Sequence, residues 1–418
     1  MPSFGRRLAA IAAGGLALRL FYVLVLAPDT RGSGDWQFFH ALPNLMGEGE
    51  GYIEPFVYGA FGDEVATASH PPLWPLVLAP VSFLGGNGVQ AHRVVGCVLG
   101  AVVIVLLALL ARRLAGDRAG LAAALLAALH PTLVAADGSL MSETLYGLWI
   151  ALALLLALRL LDRPRPGAAA ALGAAIGLAA LTRSEGLALL ALLVAPLALL
   201  GGQRHWRMLG LALLGCALTI APWTVRNLSA FDRPVLISHN DSTVLAGANC
   251  GATYRGNDLG GWRFDCISER RTLDEGEQAA TWREEGLDHA REHAGRLPAV
   301  VPVRVLRTWS LWQPRRQVEF GEGRADWAEA AGVVVYFLLL PLAATGAVLL
   351  WRRSRARVLV LLSPLVLVTL SSAIAYGVPR FRHAADLAIV VFAGCAIALV
   401  LERRTPAPRH DAALPAGA

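Results

Sequence analysis

Residues 66–86 read ATASHPPLWPLVLAPVSFLGG, and whether this stretch crosses a membrane decides the topology of everything after it. Its apolar part, 71–85, falls short of the roughly 20 residues that a bilayer-spanning helix needs. Pro71 and Pro72 open it, which suits a first helical turn, and His70 stands at its mouth. The segment therefore reads as a hydrophobic helix lying along a membrane surface.

The rest of the chain supplies the membrane. Of 418 residues, 56% are hydrophobic and only 16% charged, against about a quarter charged in ordinary soluble proteins. Long apolar runs fall at 8–27, 93–111, 119–135, 144–161, 168–182, 186–201, 208–223, 331–351, 357–375 and 384–401. They predict an all-α polytopic membrane protein with about ten spans. The formal net charge of +6 does not point to nucleic acid, because the arginines sit in short clusters between apolar runs rather than on one face or in one block. The first run follows Arg6 and Arg7, contains Arg19 and lacks a small-x-small cleavage pattern before PDTRGSGDW, so it is expected to be a retained span.

Short basic loops stay on the cytoplasmic side. Placing Arg6 and Arg7 there puts Arg112 and Arg113, Arg159 to Arg165, Arg204 to Arg207, Arg352 to Arg357, and Arg403 and Arg404 on the same side. The agreement holds only if 71–85 does not cross. It makes a multi-pass protein of a bacterial-type inner or plasma membrane, with both termini cytoplasmic. Residues 1–223 form an N-terminal membrane module whose first outer loop, 28–92, holds two surface-lying helices, the second being residues 36–47 with their amphipathic pattern. Residues 224–330 form an extracytoplasmic loop or small domain, 331–402 the last membrane helices, and 403–418 a disordered cytoplasmic tail. Cys97, Cys216 and Cys395 lie in apolar runs and read as inert packing residues. Cys250 and Cys266 lie in the outer segment, where an oxidising compartment lets them pair.

Ionisable groups at the outer ends of spans are costly and therefore functional candidates. They are Asp35 in GSGDWQFFH, His70 in SHPPLWP, Asp137 and Glu143 in PTLVAADGSLMSETL, Arg183 in LTRSEG, and Arg380 and Arg382 in YGVPRFRH. Asp35 also suits an N-cap for the helix beginning at Trp36, and the arginines also suit contact with ordinary lipid headgroups.

The succession DWQFFHALPNLMGEGEGY, HPPLWPLVLAPVSFLGGNGVQAHR, HPTLVAADGSLMSETLY, GLAALTRSEG, APWTVRNLSAFDRPVLIS and YGVPRFRH resembles the GT-C membrane glycosyltransferases, and among them glycosyltransferase family 39, with the protein O-mannosyltransferases and the aminoarabinose transferases of lipid A. The resemblance implies an enzyme that moves a sugar from a polyprenyl-phosphate-sugar donor to an acceptor on the extracytoplasmic face. It maps the acidic residue that serves as base or organises the site onto Asp35, where this chain has Trp36 in place of a frequent second acidic residue. A second acidic residue maps onto Glu143 or Asp137, with Glu143 preferred. Donor-phosphate contacts map onto His70 with Pro71, Pro72 and Leu73, onto Arg183, and onto Arg380 or Arg382. A divalent cation (Mg, Mn or Ca) bridging Asp35 and Glu143 is an open option, as no spacing here is diagnostic of a metal. Partners are then the donor lipid, an unidentified acceptor and membrane lipids. The rival readings are a lipid-linked substrate flippase or transporter, which places charges near mid-membrane, and a non-catalytic envelope assembly protein.

Overall fold

A computed structural model describes residues 3–404 apart from 33, 202 and 319–321, so part of the tail expected from 403 onward lies outside the described residues. The first helix, α1 (Phe4–Phe21), widens into a π-turn over Tyr22–Leu26 before Pro28. In the loop that follows lie α2 (Asp35–Glu48), α3 (Pro55–Phe61) and α4 (Leu73–Phe83). The short α3 is fixed by Pro55 at its first position and by the Glu54 carboxylate, which accepts from Val57 N–H at 2.6 Å.

The opening segment folds as a short helix. Helix α4 has 11 residues, about 16 Å of rise, roughly half the hydrocarbon thickness of a bilayer. It packs on α2, where a Cβ at Gly47 would meet Ser82 at 2.8 Å. Ser82 donates to the Asn44 side chain at 2.7 Å, and the buried Trp74 indole donates to the Leu140 carbonyl at 2.8 Å. The two helices form a shelf across the end of the bundle.

Helix α5 (Val89–Leu129) is one run of 41 residues broken at Ala115 and Gly116, and Gly116 has φ +82°, a left-handed conformation that glycine adopts without steric penalty. The chain doubles back there: Gly120 packs against the Ala108 carbonyl, and Arg112 pairs with Asp117 at 2.7 Å. The two expected runs at 93–111 and 119–135 are thus the two arms of a hairpin, the second ending in α6 (Pro131–Asp137). Helices α7 (Glu143–Asp162), α8 (Pro166–Thr182), α9 (Ala188–Gly201) and α10 (Gln203–Ala230) follow, with α10 running past the apolar run that ends near 223. The outer segment carries α11 (Asn240–Ala248), α12 (Glu275–Glu292), α13 (Leu297–Thr308) and the short α14 (Pro314–Val318). Helices α15 (Asp326–Trp351), α16 (Arg355–Ile374) and α17 (His383–Arg404) complete the bundle.

All ten apolar runs are helical, but among the described residues 7 helices are long and apolar enough to cross a membrane, and α8 and the start of α9 are shorter. The only strand-like pairing among them is a single bridge, Ile53 to Ala66. Small residues set the helix contacts, as is usual where lipid gives no hydrophobic drive. Gly173 lies on the Ala212 carbonyl, Gly215 on that of Ala170, and Gly346 on that of Phe392.

The basic clusters at 112–113 and 352–357 meet at one end. Asp162 accepts from Arg113 at 2.5 Å and from Arg357 at 2.9 Å, Arg353 reaches Glu402 at 3.8 Å, and Arg112 lies over the Phe4 ring at 4.2 Å. These contacts join the ends of α1, α5, α7, α15, α16 and α17. Because Gly173 leaves no room for a side chain, Gly173→Val is expected to separate α8 from α10 and cost about 1–3 kcal/mol, read as a lower thermal midpoint in detergent. An unchanged midpoint would contradict this packing.

Candidate active site

At the opposite end a chain of charges runs through five of the sequence candidates. Asp35 opens α2 after Gly34, whose φ of +56° aims the helix start inward. It does not cap that helix. Its carboxylate instead accepts from Arg380 Nη2 at 3.1 Å and lies 3.6 Å from His70 Nε2. Arg380, in the turn Pro379–Arg382 that leads into α17, has its Nε 3.9 Å from Glu143 Oε1. Glu143, the first residue of α7 and fully buried, also accepts from Arg183 Nη1 at 3.1 Å. Arg183 ends α8 in extended conformation (φ −149°, ψ 121°), which turns its guanidinium into the site, where Nε also donates to Glu185 at 2.6 Å.

Two expected residues lie elsewhere. Asp137 pairs with Arg19 at 2.5 Å and accepts from the Thr144 hydroxyl at 2.6 Å, a closed buried pair between α1 and α6. Arg382 is spent on Asp386 at 3.0 Å, the Ser310 hydroxyl at 2.7 Å and the face of Tyr336 at 3.6 Å. Three residues that the sequence reading did not assign do enter the site. Glu322 pairs with Arg380, and the buried Arg324 lies 3.8 Å from Glu143 Oε2. Tyr376 packs on Phe381 with ring centroids 4.8 Å apart, close enough to Asp35 and Arg183 to respond to their charge. The signal for the first two was a glycine-bracketed charge run, GEGRAD, just before a span.

The electrostatics give each group a state. Burial pushes the Asp35 carboxyl up, but His70, Arg380 and Arg183 outweigh it and hold it below the ordinary value of 3.8. Its side chain keeps 35% exposure, so it is an ionised group in an open recess. Burial lowers His70 below 6.5, and Arg380 and Arg183 lower it further against the pull of Asp35, so the imidazole is neutral near pH 7. Burial also acts to lower Arg183, yet Glu185 and Glu143 raise it above its ordinary value and keep it charged. The cationic groups of the site are its arginines, not His70.

A shared divalent cation does not suit this donor set. Asp35 and Glu143 meet through the Arg380 guanidinium, Glu143 is surrounded by three arginines, and among the described residues no group of three His, Cys, Asp or Glu side chains is arranged around one point.

The outer segment holds the arm that carries His70. The buried Glu275, at the start of α12, accepts from Ala68 N–H and from the Thr67 hydroxyl, both at 2.7 Å, while Arg226 of α10 donates to the Thr67 carbonyl at 2.8 Å. The same segment contains a disulfide between Cys250 and Cys266. Trp262, inside that loop, lies 6.1 Å from the Tyr376 ring.

Comparison with known proteins bears on the fold. Residues 69–225 match the family model described as dolichyl-phosphate-mannose-protein mannosyltransferase. No curated protein matches the chain in sequence. Among solved structures, the oligosaccharyltransferase of Archaeoglobus fulgidus, tethered to an acceptor peptide, superposes with a TM-score of 0.58 at 16% identity over 96% of this chain and 50% of that one. The same organism's oligosaccharyltransferase AglB, in complex with an inhibitory peptide and a dolichol-phosphate, gives 0.59 at 16% identity over 96% and 50%. This is a GT-C membrane fold. A further structure of the archaeal enzyme, in complex with Zn and sulfate, gives 0.56 at 16% identity over 95% and 49%. The chain therefore spans about half the length of the GT-C structures it matches.

Burial pushes Glu275 up to about 7, against the opposing pull of Ala68 N–H and Thr67. The folded arm thus favours the protonated acid, and its contribution is complete below the ordinary value of 4.5 and fades as pH rises through about 7. Hydrogen exchange at Ala68, corrected for intrinsic rates, is expected to speed up between about pH 6 and 8 in the wild type and to stay slow in Glu275→Gln, which is always neutral. Equal pH dependence in both would refute the anchoring role.

Proposed function

We propose that the chain is a membrane glycosyltransferase that moves a sugar from a polyprenyl-phosphate-sugar donor to an acceptor hydroxyl on the extracytoplasmic side, with inversion at the anomeric carbon. One observation carries the reading: an ionised, partly exposed Asp35 lies within 3.1 Å of Arg380, in a charge chain that continues through Glu143 to Arg183. A base and two phosphate-binding cations thus share one recess beside the α4 shelf.

In this reading the glycosidic C–O bond breaks as the acceptor oxygen bonds to the anomeric carbon, and the electron pair leaves with the prenyl phosphate. Arg380 and Arg183 stabilise the growing phosphate charge. Asp35 takes the acceptor's proton, and His70, neutral and 3.6 Å away, orients that carboxylate. Glu143 acts through the arginines: buried and unable to reach solvent, it fixes the direction of Arg183, Arg380 and Arg324. The family model matched over 69–225 includes His70, Glu143 and Arg183, which supports the donor class. The dolichol-phosphate bound to the archaeal relative supports it too. The position of the charges at one end of the bundle, opposite the basic clusters, favours transfer over a mid-membrane transport path and supports an extracytoplasmic site.

The test follows release of free polyprenyl phosphate when the purified full chain is given a lipid extract containing polyprenyl-phosphate sugars. Asp35→Asn is expected to lose roughly 10²–10⁴-fold in rate while polyprenyl phosphate still binds. Arg380→Ala is expected to weaken that binding. With Asp35 held below 3.8, the wild-type rate should not fall on the acid side until the pH drops under about 4. Turnover by Asp35→Asn at the wild-type rate would overturn the reading.

A further inference from the structure

The end of the bundle opposite the site contains a cavity of about 420 Å³ between the turn of α5 and the link from α15 to α16. Leu114 and Leu350 give it apolar walls, and Arg353, Ser354 and Arg357 give it a polar rim. Charge is out of balance there. Residues 352–357 contain four arginines and no acid. The acids that reach them are Glu402, 3.8 Å from Arg353, and Asp162, 2.9 Å from Arg357, and Asp162 is already shared with Arg113 at 2.5 Å. The Glu402 contact is long and exposed on both sides, with side-chain exposures of 57% and 47%, and such pairs hold weakly. The Ser354 side chain makes no capping hydrogen bond to the helix it precedes.

We propose that this cavity binds the phosphate of an anionic membrane lipid. Guanidinium and hydroxyl groups are the donors that phosphate oxygens take. The leucine walls suit the glycerol and first methylenes of a lipid rather than a free ion. The place suits it as well, because arginines at helix ends lie at headgroup depth. The bound lipid would tie the α5 hairpin to the α15–α16 turn, which protein contacts alone join through Asp162. This inference does not depend on the proposed activity.

The full-length protein in a neutral detergent is mixed with phosphatidylglycerol, phosphatidylcholine or inorganic phosphate, and lipid retention is read by native mass spectrometry alongside the thermal midpoint. Wild type is expected to retain one phosphatidylglycerol and gain stability, with little of either from phosphatidylcholine. Arg353→Gln, an exposed change, should reduce retention several-fold. Arg352→Gln, equal in charge but outside the cavity, should not. Equal losses in the two variants would reduce the effect to general attraction and overturn the site. So would equal retention of phosphatidylcholine, or a stability gain from inorganic phosphate as large as that from the lipid.

Discussion

Arg380 is where this fold closes. Its guanidinium meets Asp35, 345 residues earlier in the chain, and approaches Glu143 at the start of α7. The first outer loop, the middle of the bundle and the last helix are thereby brought to one point. A buried carboxylate such as Glu143 is tolerated only when its charge is matched, and here three arginines from three different connections match it. Removing any one changes the field on the buried Glu143, so the geometry of the recess is collectively determined.

That arrangement also explains why the carboxylates differ. Asp137 and Glu143 are six positions apart in the chain and are both buried, yet one faces Arg19 and the other the recess. Asp137 is neutralised inside the wall and linked to Thr144, and it has no open side. Asp35 alone of the three combines an ionised state with a path to solvent. The division between structural and chemically available acids comes from where the arginines lie.

Much of this was legible in the sequence for a physical reason: apolar length is a local signal, and it translates directly into helices. The short 71–85 segment, the ten apolar runs and the ends at which Asp35, His70, Arg183 and Arg380 sit follow from it. What was hidden depends on pairing across the chain. Nothing near Asp137 reveals that Arg19 will claim it, and nothing near Arg382 reveals Ser310 as a partner, although Asp386 stands four residues on at ordinary helical pairing distance. Glu322 and Arg324 went unassigned because their partners lie in α7 and in the turn before α17. The type of His70 leaves its charge open, and burial next to two arginines favours the neutral imidazole.

The loop closed by Cys250 and Cys266 carries Trp262, whose indole donates to the Thr243 carbonyl at 2.9 Å and whose ring leans toward Tyr376. Joining two thiols releases two electrons, so this wall needs an electron acceptor to finish, whereas the packing of the helices around the recess needs none.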